Sequence, residues 1–257
     1  MEIVYASIAV SALMLVLWLM HFPLRNASIV DAGWAAGIAM CASIYCWLGP
    51  GSELRRIMLA AMICFWGFRL AGHLLFDRII GQPEEGRYVA LREKWKTNLG
   101  FKFFLFYQLQ AVTCVLLATP FFIAAGDVRP LGLSDFAGLA IWIVGLGGES
   151  IADHQLKAFK GNPANKGVTC AVGLWNYSRH PNYFFEWLTW VGYAMIALPA
   201  PNGLLGLSAP ALILFFLLRL TGIPATEEHA LRSRKDYRQY QLTTSAFVPW
   251  FKKAPAR

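Results

Sequence analysis

The chain has 257 residues, 57% of them hydrophobic and only 15% charged, with ten Trp. That excludes an ordinary soluble domain, because several mostly apolar runs reach the roughly 20 helical residues needed to cross a bilayer. The net charge of +8 could suit nucleic acid, but its distribution along the chain points to membrane topology instead.

In chain order, the apolar runs predict spans near 3–22, 29–49, 57–77, 101–125, 134–154, 182–200 and 204–222. This is an all-α integral membrane protein, a seven-transmembrane helix bundle. The first run lacks a basic start and a small-residue cleavage site, so it reads as an anchor and not a removed signal peptide. Seven spans put Arg25, the six basic residues of 78–102, Lys157, Lys160, Lys166, Arg179 and the basic tail on one side. The other side receives Arg55, Arg56 and Arg129. Such asymmetry is the positive-inside signature and predicts a cytoplasmic C-terminus. The five cysteines have neither metal-ligand spacing nor a disulfide framework and read as packing residues. No metal site is expected.

There is no internal repeat, low-complexity tract or long linker, which predicts one membrane domain over 1–257, with a substrate chamber in 1–125 and a cofactor-binding part in 126–257. Three polar segments on the basic side are long enough for chemistry: 78–100, 155–181, and the tail from 225. In the first, Gly81 and Pro83 break the helix, and "EEGRYVALREKW" can begin another. Asp77 and Arg78 read as a helix-end pair. In the tail, "TEEHALRSRKDYRQYQ" reads as an amphipathic helix with Thr226 as its N-cap. The terminal "TSAFVPWF" is apolar enough to touch the membrane interface.

Ionisable groups inside spans usually face the bundle interior and often mark a site. Here they are Asp31, Arg69, His73, Glu149, Asp153 and Glu186, with Arg219 near a helix end. Glu149 and Asp153 are four apart and share a helix face, as do Asn182 and Glu186. Arg179, His180 and Asn182 sit at the mouth of the sixth span, beside Tyr177 and Tyr183. Lys157, Lys160, Lys166 and Arg179, interleaved with Gly161, Asn162, Asn165 and Gly167, suit an anion with several oxygens. Asp153, Asn182 and Glu186 suit hydroxyls and amides of the same ligand. A dinucleotide offers phosphates, riboses and a carboxamide together, whereas S-adenosylmethionine has little need of so many cations. No G-x-G-x-x-G follows a strand, so the site is not of the Rossmann kind.

The elements "ADHQLKAFK", "GLWNYSRHPNYFFEWLTWVGYA" and the tail Tyr240 followed by "VPWF" together resemble the steroid 5α-reductase family, including its bacterial membrane members. The resemblance covers residues 145–251 well and continues more loosely through "SIVDAGW", "WGFRL" and "EEGRY". It implies a seven-helix membrane fold that holds NADPH between its helices and cytoplasmic loops. It places Asp153 and Lys160 on the family's acid and base cofactor element, with Lys in place of Arg. It places Asn182 and Glu186 on the pair at the nicotinamide end, and His229 and Tyr240 on a tail His and Tyr. The sequence departs from the family at the carbonyl-binding residues: Asp31 stands where a Glu is expected and Trp66 where a Tyr is expected. Tyr88 and His73 are the candidate replacements. "RHPNY" is also similar to an element of isoprenylcysteine and phospholipid methyltransferases, which carry a Glu pair like Glu227 and Glu228 before a Tyr-rich tail.

The expected activity is NADPH-dependent reduction of the Δ4 double bond of a 3-oxo steroid or similar lipophilic enone. The alternative is an S-adenosylmethionine-dependent membrane methyltransferase, and a lipid or sterol binder is a third class. The expected catalytic residues are Asp31, Tyr88 and Glu186, with Tyr88 or another donor, oriented by Asp31, polarising the substrate carbonyl. The expected cofactor set is Glu149, Asp153, Lys157, Lys160, Asn165, Lys166, Tyr177, Arg179, His180, Asn182, Tyr183, Glu186, His229 and Tyr240. Within it, Lys160, Lys166 and Arg179 would take the phosphates. The expected setting is a bacterial inner membrane, with a monomeric protein and no nucleic-acid partner.

Overall fold

The computed structural model describes residues 1–220 and 222–252, without the side chains of Asp77 and Arg78. The expected Asp77–Arg78 pair therefore lies outside the described residues. Among the described residues every regular element is helical, and the one bridge of β type joins Ser178 to Ser245. Among the described residues, six helices are long and apolar enough to cross a membrane: Glu2–Leu24, Ile29–Leu48, Glu53–Leu74, Leu99–Ala125, Leu133–Gly161 and Gly203–Ser233. The remaining expected span, Pro181–Ala197, is a helix of 17 residues.

The chain divides into two compact units, 1–132 with 197–208, and 133–196 with 209–257. The first contains α1 (Glu2–Leu24), α2 (Ile29–Leu48), α3 (Glu53–Leu74), α4 (Gly86–Trp95), α5 (Leu99–Leu117) and α6 (Thr119–Ala125). A single π turn, Leu75–Ile79, continues α3, and a short 3-10 helix, Gly203–Leu207, packs on α6. The central helix is α2, which touches α1, α3, α5 and α6. Its small residues explain this position. A Cβ on Gly37 would lie 3.0 Å from both Val10 Cγ2 and Cys114 Sγ, so glycine lets α1 and α5 close on the same turn. By contrast, α1 leaves Ile3, Val4, Ile8, Leu15 and Leu19 exposed, as suits a surface met by lipid. It ends at Arg25, whose φ of 50° is the left-handed conformation that closes a helix.

The second unit contains α7 (Leu133–Gly161), most of α8 (Pro181–Ala197) and of α9 (Ser208–Phe215), α10 (Ile223–Ser233) and α11 (Tyr237–Thr243). The buried residues of α7 include Gly138, Trp142, Gly145, Glu149 and Ala152, which recur at helical spacing on one face. A Cβ on Gly145 would lie 2.6 Å from Thr189 Oγ1 and 2.7 Å from Thr189 N. Gly192 answers from the opposite side, where a Cβ would meet Gly138 O at 2.8 Å. The two helices thus pack almost backbone to backbone, a contact that depends on small residues. A hydrogen bond from Trp142 Nε1 to Tyr193 OH (2.8 Å) fixes their rotation.

Two local expectations change. The segment after residue 154 was expected to be loop, yet α7 runs on to Gly161. "HQLKAFK" consists largely of good helix formers, and the first breakers are Gly161 and Pro163. Thr226 is not an N-cap: it lies inside α10 and its hydroxyl donates to Gly222 O (2.9 Å). Pro224, tolerated in a first helical turn, lets the helix start earlier.

Candidate functional site

In the first unit, Asp31 stands in the first turn of α2 and Tyr88 in the first turn of α4, buried. The Tyr88 hydroxyl donates to Asp31 Oδ1 at 2.6 Å. Arg87 pairs with the other oxygen of Asp31 and with Glu85 at 3.0 Å, and its guanidinium lies 4.8 Å from the centre of the Tyr88 ring. Residues 57 positions apart meet because the 82–88 segment is tied to the start of α2. Glu84 accepts from Ala27 N (2.6 Å) and holds Arg92 (2.7 Å), while Ser28 Oγ accepts from Glu85 N (2.9 Å). Burial, with the charge of Asp31 beside it, pushes the Tyr88 phenol far above its ordinary value. His73, the other candidate donor, lies in the last turn of α3 and is partly buried.

In the second unit, α7 and α8 bring Asp153 and Asn182 together, with Asn182 Nδ2 donating to Asp153 Oδ1 at 3.1 Å. The amide oxygen of Asn182 is buried and has no hydrogen-bond partner among the described residues. One turn on, Glu186 accepts from Trp190 Nε1 (2.9 Å), so part of this carboxylate is already engaged. Glu149 is buried on the α7 face. Lys157 is exposed further along the same helix.

A cavity of about 310 Å³ lies beyond the end of α7 and includes Lys160, Asn162, Asn165, Lys166 and Arg234 in its lining. Asn165 Nδ2 donates to Phe159 O (2.8 Å), and Asn162 Oδ1 accepts from Ala164 N (3.0 Å), so both amides shape the loop. Arg234 reaches this loop because Asp236 accepts from Thr169 N (3.0 Å) and Thr169 Oγ1 (2.6 Å), which fixes the tail beside it. Nothing in the spacing of the tail marked Arg234; its position depends on this long-range contact.

Arg179 differs from the expectation. It was expected beside Lys160 and Lys166, but Nε donates to Glu227 (2.6 Å) and Nη1 to Gln241 O (2.9 Å) and Thr244 O (2.8 Å). The carboxylate of Glu227 is the hub, since it also accepts from Gln241 Nε2 (2.7 Å) and faces His180 Nε2 at 3.2 Å. His180 stacks on Tyr183 at 5.3 Å, and the Tyr183 hydroxyl meets Thr226 Oγ1 at 3.2 Å. The buried Tyr240 hydroxyl donates to Ser178 O (3.1 Å) and to Trp175 O, pinning the "WNYSRHPN" segment. Tyr177 is exposed, with its carbonyl accepting from Trp250 N (2.9 Å), and His229 is exposed on α10.

An uncharacterized protein of Schizosaccharomyces pombe is 27% identical over 266 residues, covering 91% of this chain and 76% of its own. A protein of Ustilaginoidea virens named "Probable O-methyltransferase ustE" is 32% identical over 99 residues, covering 37% of this chain and 32% of its own. No solved structure matches the chain. A family model described as "Protein of unknown function (DUF1295)" matches residues 17–244, and the chain belongs to that family.

Proposed function

We propose that the protein is an NADPH-dependent reductase that saturates the Δ4 double bond of a 3-oxo steroid or similar lipophilic enone. The observation that carries the reading is the Asn182 amide, whose nitrogen is committed to Asp153 while its buried oxygen is an unused acceptor. Leaving such an atom unsatisfied is unfavourable by about 1–3 kcal/mol, so a ligand N–H there is strongly favoured. A carboxamide N–H of the nicotinamide fits. Lys160, Lys166 and Arg234 around one cavity fit a phosphate-bearing group. NADPH, when bound, supplies the hydride.

The chain's own residues then have separate tasks. Lys160, Lys166 and Arg234 hold phosphate oxygens; Asn182, oriented by Asp153, sets the amide end. Arg179, Glu227 and Tyr240 keep the "RHPN" segment in place and act by positioning. In the first unit, Tyr88 is buried and donates its proton to the carbonyl oxygen as negative charge develops there, giving an enol. The enol takes a solvent proton at its α-carbon and returns the oxygen-bound proton to Tyr88, so a hydride and one solvent proton make up the two added hydrogens. The Tyr88 hydrogen now points at Asp31, so donation to a carbonyl requires Asp31 to release it. A proton on Asp31 would then donate to the phenol oxygen, and Arg87 governs how readily that carboxylate takes one. The basic segments suit a cytoplasmic location, with Pro181–Ala197 as a seventh span of a monomeric protein in a bacterial inner membrane.

The partial similarity to a protein named as an O-methyltransferase supports a second reading, methyl transfer from S-adenosylmethionine. Purified protein incubated with NADPH and a Δ4-3-oxo steroid separates the two. Steroid-dependent loss of nicotinamide absorbance, with a product two hydrogens heavier, supports reduction. Saturable binding of S-adenosylmethionine with no binding of NADPH would replace the first reading with the second.

A further inference from the structure

The tail forms a second groove, of about 360 Å³, whose lining includes Arg179, Leu242, Thr244, Val248, Trp250 and Phe251. Two polar groups in it are unspent. Thr244 is 4% exposed, and its hydroxyl is buried with no hydrogen-bond partner among the described residues. Arg179 uses Nε and Nη1 as described, while Nη2 makes no hydrogen bond to a described residue. Around them the apolar side chains are open: Leu242 is 68% exposed, Val248 51%, Trp250 67% and Phe251 75%.

This exposure belongs to a segment held in place. Trp250 N donates to Tyr177 O (2.9 Å), Ser178 Oγ to Phe247 O (2.8 Å) and Arg179 N to Ser245 O (2.8 Å). The Phe251 ring packs edge-on against Tyr177 at 6.3 Å. The chain thus holds four large apolar side chains away from its own interior. Glu227 offsets the charge of Arg179, so attraction for an anion comes from neighbouring cations. Arg238 is exposed on the same face of α11 as Leu242, four residues earlier, and Lys252 is exposed next to Phe251.

We propose that this groove binds an anionic phospholipid of the surrounding bilayer. Its phosphate accepts from Arg179 Nη2 and Thr244 Oγ1. Its glycerol and first acyl carbons lie along Leu242, Val248, Trp250 and Phe251. Trp at a headgroup level and cations beside it are the ordinary means of recognising such a surface.

The test uses the full chain in lipid nanodiscs and reads the fluorescence of Trp250, isolated as the difference between wild type and Trp250→Phe. Bromine-labelled phosphatidylglycerol should quench that signal at a mole fraction roughly tenfold lower than bromine-labelled phosphatidylcholine, whose phosphate can accept the same hydrogen bonds but whose choline cation is repelled by Arg238 and Lys252. Thr244→Val should raise the mole fraction of phosphatidylglycerol needed for quenching, and Thr244→Ser, which keeps the hydroxyl, should not. Equal quenching by the two lipids would mean interfacial contact without a headgroup site and would overturn the proposal. So would no quenching at all, or a requirement for phosphatidylglycerol unchanged in Thr244→Val.

Discussion

The pair formed by Tyr88 and Asp31 gives the reductase reading its sharpest residue-level consequences. Tyr88→Phe removes one hydroxyl and keeps the ring packed against Phe106, so the fold should survive. Enone reduction should fall by about 10²–10⁴, the usual range for a lost proton donor. Asp31→Asn should lose less, because an amide N–H can donate to the phenol oxygen and leave the phenol hydrogen for the carbonyl. Steady-state rates of the two variants check this order. Because burial and Asp31 raise the phenol above its ordinary value, the proton is retained as pH rises. The kcat profile should therefore show no loss of a protonated tyrosine near the usual phenol value of about 10. The resemblance put Asp31 at the substrate carbonyl with Tyr88 or His73 as the donor, and the structure brings Tyr88 to 2.6 Å from Asp31. The fate of Arg179 was not legible in the sequence. It depends on the fold of a tail that sequence showed only as amphipathic, and on a carboxylate, Glu227, that a resemblance to membrane methyltransferases marked for another reaction.

At the level of elements, the α7–α8 contact rests on where a methyl group can fit. Gly145→Ala adds a Cβ 2.6 Å from Thr189 Oγ1 and 2.7 Å from its backbone nitrogen, so the helices must separate. It should destabilise the protein by roughly 1–3 kcal/mol, as overpacking does. The same change at Gly147, on the same helix, meets nothing within 4 Å. Gly147→Ala should be neutral or stabilising by about 0.5–1 kcal/mol, since alanine is the better helix former. Thermal unfolding of the two variants in one detergent reads the opposite signs directly. The periodic face of α7 could be read from Gly138, Trp142, Gly145 and Glu149. Its true end could not, because the expected span stopped where apolarity stopped, whereas a helix stops where its backbone does.

For the whole molecule, the apolar runs and a division after residue 125 were read in one dimension, but the grouping of 197–208 with the first unit was not, because it depends on which helices share contacts. Acid stability tests one anchor of the first unit. Arg55 and Asp127 are both buried and 3.3 Å apart, and Arg55 also donates to the carbonyls of Asp127, Arg129 and Pro130. The hydrogen bond from Arg129, assisted by the charge of Arg55, holds the Asp127 carboxyl below its ordinary value. A lowered carboxyl contributes stability above its unfolded value, about 3.9, and loses it as pH falls through the folded value. Melting temperature should therefore fall more steeply below about pH 4 in wild type than in Asp127→Asn, which starts lower at neutral pH. The central claim is cofactor identity, and the most direct measurement is a titration of purified protein with NADPH, NADH and S-adenosylmethionine. The account predicts saturable binding of NADPH, weakened in Lys160→Ala and in Asn182→Ala. Binding of S-adenosylmethionine alone would contradict it.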